Sequence, residues 1–123
     1  MAEQIRSRQL LIDTVEALGY PVYLQGSLPE DGKWPRSFFT HWIFDAVDTL
    51  HYSGAPHCCD FGYWLYFYSA DRTLVDTVPI TAKRALQAKG FVFDGHPLDV
   101  SSGRPSHTGV MLTAHYKERI DES

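Results

Sequence analysis

The sequence predicts an α+β fold: a mostly antiparallel sheet of four to five strands that contains a long hairpin, with two helices packed on one face. Three observations carry this expectation. Two segments repeat apolar residues at helical spacing, several aromatic-rich segments alternate with a period of two, and turns dense in Gly and Pro separate them. An amphipathic helix must bury its stripe, and one face of such a sheet accommodates two helices. With 123 residues, the chain is long enough for one core and too short for two, so residues 1–123 are expected to form a single domain.

The elements follow in order. Residues 3–18 set Ile5, Ile12, Val15 and Leu18 near one side at helical spacing, with Leu11 widening the stripe. Gly19 supplies a left-handed stop, and Pro21 prevents the helix from resuming. Residues 22–25 read as a short strand, and 26–37 (GSLPEDGKWPRS) as an exposed loop. In residues 38–45, Phe38, Thr40, Trp42 and Phe44 alternate with Phe39, His41, Ile43 and Asp45. Both sets contain large apolar groups, so both faces of this strand should be covered. Ser53-Gly54-Ala55-Pro56 marks a turn, and residues 63–69 (YWLYFYS) form the most aromatic strand. The simplest connection is a long antiparallel hairpin with arms 38–52 and 57–69.

A second helix is expected over residues 71–89, with Leu74, Val75, Val78, Ala82, Ala85 and Leu86 inward, Asp71 as N-cap and Gly90 as terminator. Pro79 lacks an amide donor and crowds the preceding turn, which predicts a kink or a broken first segment. Residues 91–94 form a further strand, and 95–107 a Gly/Pro/Ser-rich loop expected to be flexible in a free subunit. In the last strand, 108–117, Val110, Leu112, Ala114 and Tyr116 share one face, and Met111, Thr113, His115 and Lys117 share the other. Large side chains on both strand faces, with helices for only one, leave an apolar and aromatic surface, and such surfaces mark protein interfaces.

Composition excludes several classes. Apolar residues make up 44% and charged residues 21%, a globular balance. The net charge of −4 argues against a dedicated nucleic-acid binder, which carries a basic stripe. No apolar run approaches 20 residues, so no membrane partner is expected, and the amphipathic N-terminus is not a signal peptide. The two cysteines, Cys58 and Cys59, are adjacent; bonding them to each other needs a strained ring, so two reduced thiols are expected.

A zinc reading of His51, His57, Cys58, Cys59 and Asp60 founders on spacing, because adjacent strand residues point to opposite faces. No Gly-x-Ser-x-Gly elbow, phosphate-cradling loop or dinucleotide fingerprint is present. The chain therefore reads as a non-enzyme with no catalytic residues, no metal and no cofactor. A small ligand- or metal-binding α+β domain of the cytoplasm, built around the His/Cys cluster, is the alternative.

Three loop residues stand out as subunit or partner interface candidates: Trp34, Arg104 and His107. Trp34 sits in a polar segment, where its ring is either a local lid over a strand or an exposed anchor. Arg104 and His107 flank Pro105 in the long loop, and a planar guanidinium can pair with a carboxylate across an interface. Tyr63, Tyr66 and Tyr68 fit the core better than an inter-subunit contact.

The blocks Lys33-Trp34-Pro35, Phe38-Phe39-Thr40, Phe67-Tyr68-Ser69 with Asp71, Gly90-Phe91 and Ser106-His107-Thr108-Gly109 occur in an order and spacing that resemble the tail-terminator or tail-completion proteins of long-tailed bacteriophages. The likeness spans residues 26–118. It implies a virion protein of the head–tail junction, present in host cytoplasm during assembly, that self-associates into a ring, typically a hexamer. The ring would cap the tail tube, ending its growth, with the major tail-tube protein and the head-connector protein as partners and no sequence-specific nucleic acid, DNA passing through the ring. Other neck or head-closure components share this size and pattern. Where such proteins often carry a basic residue after the His-Thr-Gly block, this chain has Val110.

Overall fold

A computed structural model describes residues 6–28, 32–48 and 57–120. Among these residues two helices, α1 (Arg6–Glu16) and α2 (Arg72–Gln87), accompany five strands: β1 (Val22–Leu24), β2 (Ser37–Asp48), β3 (His57–Ser69), β4 (Val92–Ser101) and β5 (Thr108–Ile120). The strands form one sheet in the order β1-β2-β3-β5-β4. Only the β1–β2 pair is parallel; β2–β3, β3–β5 and β4–β5 are antiparallel. The fold class is therefore α+β with a mostly antiparallel sheet. Strands β2 and β3 pair from Ser37↔Ser69 to Asp48↔Cys59, while the hairpin connection expected between them, at 49–56, lies outside the described residues.

The alternation read from the sequence decides the layers. Phe61, Tyr63, Leu65 and Phe67 of β3 and Val110, Leu112 and Ala114 of β5 share a core with Leu11 and Val15 of α1 and Val75, Val78, Ala82 and Leu86 of α2. Both helices thus lie on one sheet face, as expected from their stripes. Phe39 joins this core from β2, its ring 4.8 Å from that of Phe67. Val110 is buried there, where a charged side chain would be costly to desolvate.

Local stops work as expected. Asp71 caps α2 by accepting from the Thr73 amide at 3.0 Å. Gly90 at φ +104° lets the Phe91 N–H reach back to the Leu86 carbonyl at 3.1 Å, a turn open to glycine because it lacks Cβ. For α1, a carboxylate from the sheet supplies the cap. Buried Glu118 of β5 accepts from the amides of Ser7 (2.7 Å) and Arg6 (3.2 Å), with the Arg6 guanidinium 3.6 Å away. Acceptors near a helix N-terminus satisfy otherwise orphaned donors and complement its dipole. Ser7 also hydrogen-bonds the hydroxyl of fully buried Tyr63.

Two expectations require correction. Of the kink or break expected at Pro79, the break does not occur: α2 runs unbroken through Pro79, whose side chain is fully buried. The long loop expected over 95–107 is mostly strand. Strand β4 continues to Ser101, pairing Leu98–Ser101 with Met111–Thr108, after an irregularity between Asp94 and Leu98. Gly95, His96 and Pro97 occupy that irregularity, where an unpaired extra stretch bends the strand and a missing amide costs no ladder bond. The true connection is only 102–107.

Candidate functional site

Among the described residues no helix covers the opposite sheet face. By register it presents Phe38, Thr40, Trp42 and, past the shift at Phe44, Asp45 and Val47 from β2, Asp60, Gly62, Trp64, Tyr66 and Tyr68 from β3, and Met111, Thr113 and His115 from β5, flanked by Val92, Asp94, Leu98 and Val100 of β4. Trp42 (45% exposed), Leu98 (58%) and Val92 (65%) are open to solvent. The outer set of β2 residues, expected to be covered, is so only in its first part.

That part is covered by the three residues singled out in the sequence, which the fold brings together. The Trp34 ring stands edge-on to Phe38 (centroids 5.5 Å apart) and to His107 (5.4 Å), and is tilted against Tyr68 at 6.2 Å. Of the two settings considered, the ring takes the lid. The Arg104 guanidinium carbon lies 3.9 Å from the Trp34 ring centroid, a cation–π contact. Its Nη1 donates to the Gly32 carbonyl at 2.7 Å. His107 Nε2 lies 2.9 Å from the Pro35 carbonyl. A carbonyl only accepts, so Nε2 carries the proton, and Nδ1 is left to accept from the Ser106 hydroxyl at 2.8 Å in the neutral ring.

The turn that carries Arg104 is itself tied down. Ser102 Oγ accepts from the Arg104 amide (3.0 Å) and donates to the His107 carbonyl (2.7 Å), and Gly103 takes φ +78°. Two loops distant in sequence are thereby clamped over one end of the sheet. The close approach beneath needs Gly109: a Cβ there would fall 2.7 Å from the Tyr68 ring and 3.0 Å from the Val100 carbonyl.

Of the tyrosines assigned to the core, Tyr63 lies in it, and burial pushes its hydroxyl pKa up to about 12. Tyr68 is buried under Trp34 on the other face, and half-buried Tyr66 stacks parallel to it at 6.0 Å.

At the far end of the open face lies a cluster that no sequence motif indicated. The register shift between Ile43 and Asp45 lays the Phe44 ring over Gly62, where a Cβ would meet it at 2.7 Å, and stacks it on Trp64 at 4.8 Å. His115 stands edge-on to Phe44 at 5.9 Å. Its Nε2 donates to Asp94 Oδ2 at 2.8 Å, and its Nδ1 faces Asp60 Oδ1 at 4.0 Å. Asp60, Val92, Asp94, His115, Tyr116 and Lys117 line an open cavity of about 540 Å³. An isolated glycine within an aromatic strand was the one available signal, since it marks close approach; the Asp94–His115 pairing needs three-dimensional register.

Cys58 and Cys59 are free thiols. Burial, then Asp48, Asp60, Glu118 and Asp45, push the Cys59 thiol pKa up, the reverse of what a nucleophile or thiolate ligand requires. Among the described residues no group of three His, Cys, Asp or Glu could hold a metal ion, and no helix is long and apolar enough to cross a membrane; His51 lies outside them. No family model matches this chain, and no curated protein sequence matches it.

Proposed function

We propose that this protein is a virion assembly component, a tail terminator that forms a ring on the end of a phage tail tube, stops tube growth and joins tail to head. The role is structural, without catalysis or cofactor. The observation that carries this reading is the sheet face over which the described residues place no helix, on which Trp42, Val92 and Leu98 stand exposed beside the aromatic clamp of Trp34, Arg104 and His107. Exposed apolar patches of this kind are interaction sites, and aromatic residues are enriched where partners bind most tightly. The ordered sequence blocks supply the phage context.

The test is the mass of the pure protein by sedimentation velocity, alone and with purified tail-tube protein, together with electron microscopy of the assembled species. A closed ring in either condition is expected. A monomer in both would overturn the proposal.

A further inference from the structure

We infer that the free edge of β5 at residues 116–119 takes, as an added strand, an extended segment of another protein in which acidic residues alternate with apolar ones. Strand β3 accompanies β5 as far as the His57↔Ile120 pair, but β4 begins only at Val92↔His115. Among the described residues no strand pairs with the outer edge of β5 beyond His115. The Arg6 guanidinium donates to the Arg119 carbonyl, so that carbonyl points away from β3 and toward this edge. Strand residues two apart orient their backbone alike, so the N–H and C=O of Lys117 face the same way.

The edge lies in a groove. The open cavity beside Asp94 and His115 reaches Tyr116 and Lys117, and a second, of about 440 Å³, runs on from the same two residues to Arg6, Leu10 and Arg119. An added strand gains affinity from main-chain hydrogen bonds and specificity from sites for its alternate side chains. Here the two kinds of site differ. Leu10 and Tyr116, both half-buried, offer an apolar seat on the helix side, while Lys117 and Arg119 stand exposed on the other face.

Charge names the occupant. Arg6, Lys117 and Arg119 line the second cavity, and the carboxylate there, Glu118, is already engaged by the Arg6 and Ser7 amides. Asp60 stands opposite Lys117 in the ladder and Asp94 lines the first cavity, so the cationic surplus sits at the Arg119 end, where the cross-strand neighbour is Cys58. A second copy paired through the same edge would set these cations against their own counterparts. Like charges directly opposite destabilise a ladder, and basic side chains on a free edge deter such pairing. An acidic strand meets them favourably.

The experiment uses the dilute full chain, a blocked peptide alternating glutamate with valine, and its lysine-for-glutamate counterpart, with amide exchange and amide chemical shifts as readouts. In the free chain the Lys117 amide should exchange at least about tenfold faster than those of Tyr116 and Glu118, which face β3. The acidic peptide should shift and protect the Lys117 amide, and the basic one should not. Arg119→Glu, an exposed change checked by thermal melting, should weaken binding of the acidic peptide at least about tenfold. Lys117→Pro, tolerated only where the missing amide faces solvent, should fold and lose the peptide; if it misfolds, the exchange rates and Arg119→Glu still decide. A slow Lys117 amide in the dilute chain, or no response to the acidic peptide, would overturn the inference, as would equal binding of both peptides. Protection that rises with the concentration of the chain alone would give the edge to a second copy and also overturn it. The ring reading is judged separately, by mass. A monomer that binds the acidic peptide keeps this inference and overturns the ring, and a ring that ignores the peptide does the reverse.

Discussion

His41 shows how a single buried side chain sets acid sensitivity. It is 4% exposed, and its Nδ1 and the Arg8 Nε have no hydrogen-bond partner among the described residues. Burial, with the Arg8 charge adding to it, lowers its pKa to about 4. The folded protein therefore binds fewer protons here than the unfolded chain, whose histidine titrates near 6.5. The resulting stability is fully present above pH 6.5 and is lost as pH falls toward 4, an effect on the order of 2–3 kcal/mol. His41→Phe should reduce the loss of stability between these values. The measurement is the urea midpoint at pH 6.5, 5.5 and 4.5 for both proteins, and identical pH slopes would contradict the prediction. Glycines make a second test at this scale. Gly109→Ala drives Cβ into a Tyr68 ring held beneath Trp34 and toward the backbone of Val100, which should cost about 1–3 kcal/mol. Gly62→Ala meets only the tip of the half-buried Phe44 ring, so it should cost less and abolish the Phe44–Trp64 stack. Thermal melts of the two variants would show the order.

Among the elements, α1 is the one held by a distant residue. Glu118 accepts two of its N-terminal amides from 111 and 112 residues away, so the start of the helix depends on the end of the sheet. Glu118→Gln keeps an acceptor but removes the charge, and should cost about 1.5–3 kcal/mol. Hydrogen exchange should accelerate first in α1, and uniform acceleration across the sheet would contradict local capping. This bond could not be read from the sequence, because a lone Glu in an alternating strand looks like any edge residue. Strands β3 and β5 were legible since their period of two survives burial, and the caps Asp71 and Gly90 since their chemistry is local. Pro79 and Pro97 misled for the opposite reason. Each is a strong local signal overridden by its surroundings: Pro79 is buried in the helix interface, and Pro97 falls where the β4–β5 ladder is already interrupted. Both prolines line one crevice together with Val75 and Val110, a packing visible only once the strands are assembled.

For the whole molecule, what matters is the division between aromatics that hold the fold and aromatics that face outward. The sequence carried the count of seven Phe, seven Tyr and three Trp, and an uncovered face could be inferred from having two helices for one sheet. It did not reveal that Trp34, Arg104 and His107 engage one another, which depends on bringing residues 72 apart to the same sheet end. That division is testable with two tryptophans. Trp34 is half-buried against Phe38, Tyr68 and Arg104, so Trp34→Ser should lower stability by about 1–3 kcal/mol through lost ring and cation–π contacts. Trp42 is 45% exposed on the open face, so Trp42→Ser should change the stability of the isolated subunit by less than about 1 kcal/mol. If this face is the association surface, the order reverses in the assembled state: Trp42→Ser should weaken association more than Trp34→Ser, because truncating an aromatic anchor inside an interface costs about 2 kcal/mol or more. Chemical denaturation of dilute subunits and sedimentation at high concentration separate the two quantities. A Trp42→Ser protein that associates as the wild type does would place the interface elsewhere on the molecule.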